Sequence, residues 1–484
     1  MRTGKEYVEG LRDNRTVYVY GEAVQDLPSH PAFAGVVETA ASLYDMSADP
    51  ASDMTYTAPE TGNAANKAFM IPRSREDLAA RRAAIDKWAG VSKGFLGRSP
   101  DHVAGFFAGF ASGAEVFDRG TRAFGDNVRR FYSSILDDDL YCSYVIIPPQ
   151  VSRATTASGW DQEFIQVGAA EERDDGIVVR GSQMLGTSAA ISDYVFVSCI
   201  KPLTPADTDY ALSFVLPVGT QGLRLYCRRP YAADQPSTFD YPMSTRFDET
   251  DALAVFDDVF VPWENVFVYK DVDGVRSQFF ETAAHVLGNS QAQIRLVRKM
   301  QFLAGVARKI AATNQIDQIP SVQEKLGELA SLASMVEGMV VAAEATSSQD
   351  RFGVERPNPR FLYGSMGLQA EIVPRVLGLV RELAGGGVMQ LPSSYKELLG
   401  PHTKYDMELY VWSPGVRARD RVKLFKLAWD LVGSEFAGRH HQYEMFYAGA
   451  PFVAKGYAYR NYGYDGLVAE VDEFLGAYDI DAEA

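Results

Sequence analysis

Cysteine is scarce in this chain of 484 residues. Its three thiols, Cys142, Cys199 and Cys227, stand 57 and 28 residues apart. That spacing offers no CxxC pair and no disulfide framework, which points to a reducing compartment. Positive charge is also short: 47 Lys and Arg against 63 Asp and Glu leave a net charge of −16. Nonspecific binding to DNA, RNA or an anionic membrane needs a basic surface, so those classes are set aside. Long apolar runs are missing as well. The longest charge-free apolar stretch, residues 103–114, spans about 12 residues, and a bilayer span needs roughly 20. The opening MRTGKEYVEGLRDNR is charged from its second residue and has no apolar segment of a secretory signal. A cytoplasmic protein is expected.

Several chemical signatures are absent too. No GxxxxGK[ST] loop cradles nucleotide phosphates, and no GxGxxG follows a strand. Gly385–Gly387 comes after a helical pattern and so lacks that context. There is no HExxH and no GxSxG. His440 and His441 are adjacent, about 100° apart around a helix, which is poor geometry for a shared metal. A redox enzyme with this sequence has no evident site for a nicotinamide of its own.

What is present is a globular composition, 46% hydrophobic and 23% charged, with length for about three compact units. Tyr (25) and Phe (27) far outnumber Trp (5). A core can absorb such residues, and so can a pocket for a planar ligand; composition favours the core. Residues 1–140 read as helical, with a helix over 75–90 and another after Pro100 whose HVAGFFAGFASGAEVF body is small and aromatic. Strand-length runs rich in β-branched and aromatic residues fill 141–270. Long helical periods return at 281–313, 321–349, 365–386 and 418–438, within a C-terminal bundle over 271–484. The fold class expected is α+β, mainly helical.

Three segments carry a resemblance: Gly97-Arg98-Ser99-Pro100-Asp101-His102, Pro148-Pro149-Gln150-Val151-Ser152-Arg153, and the run from Phe256 to Phe267. With Tyr20-Gly21-Glu22, His30-Pro31-Ala32-Phe33 and Arg421–Trp429, they resemble the oxygenase components of the 4-hydroxyphenylacetate 3-monooxygenase family, chlorophenol and nitrophenol monooxygenases included. The resemblance runs from Gly4 to about Pro451. It implies an acyl-CoA dehydrogenase-like fold, with N-terminal helices, a central β-domain and a four-helix bundle that assembles a homotetramer. It also implies FADH2 delivered by a separate NAD(P)H:flavin reductase. Reaction of that flavin with O2 would give a C4a-hydroperoxide, which hydroxylates a small aromatic substrate, free or carrier-tethered. The family's flavin contacts fall here on Gln150, Val151, Ser152, Arg153, Gly186, Thr187, Ser188, Gly449 and Pro451. Its substrate contacts fall on Arg98, Ser99, His102, Phe106 and Tyr144, with Arg98, His102 and Tyr144 as the catalytic set.

The chemistry of these types can be argued separately. Electrophilic hydroxylation needs an electron-rich ring, and a phenolate is richer than a phenol. A base and a fixed cation beside the phenolic oxygen supply it. Arg98 suits the cation, since guanidinium stays charged and directs its donors. Phe106, Phe107, Phe110 and Tyr144 are expected to border the ring. One departure stands out: the family commonly has Tyr where this chain has His102, and His where it has Tyr144. An exchange that keeps one imidazole and one phenol in the pocket makes His102 the base, with Tyr144 as hydrogen-bond partner at the phenolic oxygen. The other reading is a substrate that needs no deprotonation, with His102 as polar lining. Two further functions stay open, an acyl-CoA dehydrogenase or dehydratase type of flavoenzyme and a non-catalytic flavin-binding homologue.

Overall fold

The structure, a computed structural model, describes residues 1–152, 154–234, 237–447 and 449–479. The N-terminal helices form where the sequence supplies their ends. Ser74 caps Arg75–Ser92 and exchanges hydrogen bonds with Asp77, and the left-handed Lys93 stops it two residues past Gly90. Pro100 opens Pro100–Ser112 at a position where its missing N–H is no loss. The small residues of that helix are explained by close packing on helix Ala284–Thr313. A Cβ on Gly109 would lie 2.1 Å from the Ala284 backbone nitrogen, and one on Gly105 would lie 3.3 Å from the Leu287 carbonyl oxygen.

Two sheets follow. The six-stranded one runs in the order Glu22–Ala23, Thr16–Val19, Leu223–Cys227, Asp251–Pro262, Gly176–Thr187 and Gly168–Glu172. The four-stranded one runs Val266–Tyr269, Leu212–Pro217, Tyr194–Val197 and Cys142–Val145. Thr16–Val19 pairs in parallel with Leu223–Cys227, although it belongs to the region read as helical. A four-residue strand is too short to announce itself by alternation; its partner across the fold supplies the hydrogen bonds.

Helices Ala284–Thr313, Pro320–Ala345 and Pro359–Ala384 pack together after the sheets. The single helix expected over 418–438 is two, Ala418–Val432 and Glu435–Met445. They break at Gly433, whose missing side chain makes room for the Trp429 ring, and Ser434 caps the second. Helix Pro320–Ala345 is long and apolar enough to cross a membrane by length and composition, with a mean hydropathy of 1.4 over an 18-residue window that is only 22% buried. Glu328 and Glu337 interrupt its apolar run, so no long charge-free stretch marks it in the sequence.

One continuous apolar core extends from Tyr7 through Phe107 and Leu303 to Phe436. Phe107 sits at its centre, with ring centroids 4.8 Å from Phe131, 5.3 Å from Phe196 and 5.6 Å from Phe267. Such edge-on pairs add about 0.5–1.5 kcal/mol each beyond area burial. Phe107 and Phe110 are therefore core residues with no exposed surface, against the expectation that they border a pocket. Most of the aromatic surplus is spent in this way.

Candidate active site

The Gly97–Arg98 turn is pinned from outside its own segment. The Glu249 carboxylate accepts the backbone N–H of Gly97 at 2.8 Å and of Arg98 at 2.9 Å, and Tyr141 donates its hydroxyl to the Arg98 carbonyl at 2.5 Å. The Arg98 side chain is buried. Its Nη1 lies 2.6 Å from His102 Nε2 and donates to the Tyr447 hydroxyl at 2.7 Å. The guanidinium carbon stands 4.4 Å from the Tyr447 ring centre, 4.9 Å from Tyr144 and 5.4 Å from Tyr443. Among the described residues no carboxylate pairs with this guanidinium, and its Nε and Nη2 make no hydrogen bond. A buried cation is costly unless compensated. Here ring faces and a hydroxyl share that task and leave an edge of donors for an anion.

His102 lies one turn along, also buried, with its ring 5.3 Å from Phe106 and 5.4 Å from Tyr144. Burial and the neighbouring Arg98 hold the imidazole well below its ordinary range, so it is neutral at pH 7. Its Nδ1 is 3.2 Å from Gln291 Oε1. The same amide reaches Asp101 Oδ1 at 3.0 Å and Ser99 Oγ at 3.2 Å. Ser99 donates to Asp101 at 2.5 Å, so it is engaged within the protein. Burial pushes the Asp101 carboxyl up to about 6 against the pull of Ser99 and Arg81. Tyr144 comes from strand Cys142–Val145 and is half-buried; burial raises its hydroxyl and Arg98 opposes the shift. The structure thus brings Arg98, Ser99, His102, Phe106 and Tyr144 together.

The residues expected to face a flavin fall into three groups. Gly186 pairs with Ala252 and Thr187 with Asp251 in the sheet, and a Cβ on Gly186 would lie 2.9 Å from Val145 Cγ1. Ser188 is left-handed (φ 63°), and the nearby Thr250 Oγ1 is buried without a partner among the described residues. Gln150 and Val151 are exposed and Ser152 half-buried in a loop next to the Ile147–Met184 bridge, with Val151 68% exposed. Arg153 lies outside the described residues. Gly449 (φ 90°) turns the chain after Tyr447, and Pro451 opens helix Pro451–Arg460.

Several residues of the site were not read from the sequence. Tyr447 and Tyr443 enter from beyond 400, Gln291 from the bundle, and Glu249 from between two strands. Arg439 joins the two sides: it donates to Glu249 Oε1 at 2.8 Å and to Asp251 Oδ1 at 2.6 Å, and Asp251 accepts from Thr187 Oγ1 at 2.6 Å. The pairing Tyr443…Tyr447, four apart near the end of a helix, was the only local signal available.

N-terminal helices, a central β-domain and a helical bundle, with a buried cation where they meet, place the chain in the acyl-CoA dehydrogenase-like fold class. An oxygen-tolerant archaeal 4-hydroxybutyryl-CoA dehydratase shares that fold at a TM-score of 0.89, 20% identity, and coverage of 99% of this chain and 95% of the other. More narrowly, the chain belongs to the 4-hydroxyphenylacetate 3-hydroxylase family. The family's N-terminal model matches residues 3–268 and its C-terminal model residues 275–476. The oxygenase component of 4-hydroxyphenylacetate 3-monooxygenase, solved with FAD and 4-hydroxyphenylacetate, superposes at a TM-score of 0.93 with 33% identity over 99% of both chains. A Streptomyces globisporus monooxygenase of (3S)-3-amino-3-(3-chloro-4-hydroxyphenyl)propanoyl-[peptidyl-carrier protein SgcC2] is 35% identical, covering 92% of this chain and 85% of that one.

Proposed function

We propose that this protein is a reduced-FAD-dependent monooxygenase that hydroxylates a phenol or a related electron-rich ring. The observation that carries the reading is the buried Arg98 guanidinium, unpaired with any described carboxylate and faced by His102 and Tyr144. Family membership supports it, as do the FAD and phenol named for the superposed oxygenase.

The residues present fit a flavin. The buried Thr250 hydroxyl, without a partner among the described residues, lies beside Ser188, and Gly186 keeps that strand end free of a side chain. Gly186, Thr187 and Ser188 would hold the cofactor with Gln150, Val151, Ser152, Arg153, Gly449 and Pro451. When bound, reduced FAD supplies with O2 the electrophilic oxygen. The protein's part is to prepare the ring. Arg98 holds the phenolic oxygen: its Nη1–H turns from His102 Nε2 to that oxygen, the freed Nε2 lone pair takes the phenol proton, and the Tyr144 hydroxyl donates to the resulting oxyanion. The phenolate charge offsets the repulsion between Arg98 and an imidazolium, so the two charges form together. Phe106 lies edge-on to Tyr144 at 6.0 Å and borders the ring.

Reduced flavin comes from a separate NAD(P)H:flavin reductase in this reading, in keeping with the missing nicotinamide motif. The aromatic substrate is small or carrier-tethered, the latter suggested by the Streptomyces relative. A homotetramer is supported by apolar faces left open: Leu467, Val471 and Phe474 on helix Tyr464–Gly476, and Met335 and Val341 on Pro320–Ala345. We assign the chain to the cytoplasm, on its three free thiols, and divide it at 1–140, 141–270 and 271–484.

The test mixes full-length protein, FADH2 and 4-hydroxyphenylacetate or other phenols with O2 and follows product and peroxide. Coupled hydroxylation is expected, and it should fall sharply in His102→Phe and less in Tyr144→Phe. Peroxide release with no product from any phenol would mark a flavin-binding homologue instead. Flavin reduction by an acyl-CoA would mark the dehydrogenase type.

A further inference from the structure

Gln291 touches His102 from the bundle side, behind the pocket. We infer that Gln291 is a positioning residue of this site: its side-chain carbonyl fixes His102 as the Nδ1–H tautomer, so that the Nε2 lone pair faces Arg98 and the phenol. The inference rests on the reading of His102 as the base.

Hydrogen-bond accounting orients the amide. Gln291 Nε2 lies 3.0 Å from Asp101 Oδ1 and 3.2 Å from Ser99 Oγ. Ser99 spends its own proton on Asp101 Oδ1, so its oxygen accepts from the amide. The two acceptors stand 2.5 Å apart, so they share the donating edge of the amide. Turning the amide over would set its carbonyl against these acceptors. Gln291 Oε1 therefore faces His102 Nδ1 at 3.2 Å, and an acceptor there requires a proton on Nδ1.

The opposite edge of the ring reaches the same answer. His102 Nε2 is 2.6 Å from Arg98 Nη1, and a guanidinium only donates. Nε2 must carry the lone pair. Two contacts from different elements thus impose one tautomer, and once the Arg98 N–H turns to a ligand oxygen it is the tautomer whose Nε2 can receive that ligand's proton.

The other charged or titratable groups around the imidazole do not replace this contact. Arg98 and Asp101 lie on its own segment, Tyr144 on the strand, and Arg295 one turn beyond Gln291. Arg295 is engaged in a bidentate pair with Glu444 at 2.7 and 2.9 Å. Tyr443 and Tyr447 close the remaining side, and the Tyr447 hydroxyl stands 3.4 Å from Nδ1 while accepting from Arg98. Gln291 is nearer than Tyr447 and is held by bonds on its far side, while the Gly288 carbonyl one turn before it also accepts from the imidazole.

The experiment uses the full-length chain and 4-nitrophenol, whose phenolate absorbs in the visible, titrated between about pH 5 and 8. The readout is the fraction of bound probe present as phenolate at pH 6, with total affinity measured alongside. In Gln291→Met that fraction should fall by about fivefold, the worth of one hydrogen bond. In Gln291→Glu, where the acceptor is kept and strengthened, it should match or exceed the parent protein. In His102→Phe it should fall, and adding Gln291→Met should then change nothing. An equal fall for Gln291→Met in the His102→Phe background would overturn the inference, since Gln291 would act elsewhere. A fall in Gln291→Glu equal to that in Gln291→Met would overturn it too. An unchanged fraction in His102→Phe would remove the base reading itself, a separate failure.

Discussion

Glu249 lies against Arg98 yet takes the backbone N–H of that residue, at 2.9 Å, and not its guanidinium. The nearest carboxylate is thus spent on holding the turn, and its other oxygen is occupied by Arg439 at 2.8 Å. The Arg98 charge is buried, positioned and left without an anionic partner among the described residues. That is the state expected of a cation waiting for a ligand oxyanion.

Truncating this cation should therefore cost catalysis more than stability. Arg98→Ala is expected to lower kcat/KM for phenol hydroxylation by about 10²–10³, in line with removal of an oxyanion donor. Arg98→Lys should recover only part, because an ammonium cannot serve His102, Tyr447 and a ligand with directed donors. Steady-state product formation with peroxide quantified in parallel reads this out. Activity within twofold of the parent in Arg98→Ala would remove Arg98 from the oxygen-binding role.

Asp101 gives a pH dependence with a definite sign. Its carboxyl is pushed up to about 6 in the folded protein, against about 3.9 when unfolded. Between those values the native state keeps a proton that the unfolded chain has lost. The associated stability is full below about pH 4 and is lost as pH rises toward about 6. Asp101→Asn keeps an acceptor for Ser99 and Gln291 but carries no charge. It should gain on the parent by up to about 3 kcal/mol by pH 7.5, and by much less near pH 4.5. Denaturant unfolding at the two pH values measures the gap; a gap that narrows with rising pH would contradict the assignment.

The buried charges under the site predict unequal costs for neighbouring substitutions. Glu444 accepts from Arg295 at 2.7 Å and from Lys299 at 2.8 Å, so it balances two cations. Burial lowers Lys299 to about 8 even though Glu444 pulls it up. Glu444→Gln strands both cations and should cost about 3–5 kcal/mol. Lys299→Met leaves the Arg295–Glu444 pair intact and should cost far less. Paired denaturation curves decide, and equal losses would show that packing, not charge balance, governs the cluster.

Helix contact at Gly109 should be intolerant of one methyl group. In Gly109→Ala the new Cβ meets backbone at Ala284, 2.1 Å away, and backbone cannot step aside as a flexible side chain can. A loss of at least about 2–3 kcal/mol is expected. The shift would also separate His102 from Gln291, which ride on these two helices. Thermal unfolding checks the first effect. A mutation at Gly90, where a Cβ meets nothing within 4 Å, is the control.

Legibility in the sequence followed the range of the interactions. Arg98 and His102 share one helical turn, so their motif could be read directly, and Pro100 and Ser74 marked helix starts by local geometry. Tyr144 came from a strand pattern and family likeness. Phe107 and Phe110 were misread as pocket residues because neighbours along a helix look alike until the sheet beneath them is known. Gly433 hid the break between two helices, since a lone glycine inside a helical period is ambiguous.

The amphipathic periods, caps and turn residues of the chain determined where helices and strands begin, because those choices depend on neighbours a few residues away. Which side chains meet was decided by the tertiary structure alone. Tyr447 reaches Arg98 across 349 positions and Gln291 reaches His102 across 189. No local preference encodes such contacts; packing the helices and the sheets together creates them. The tautomer of His102, the unpaired charge of Arg98 and the raised carboxyl of Asp101 all follow from burial at that junction.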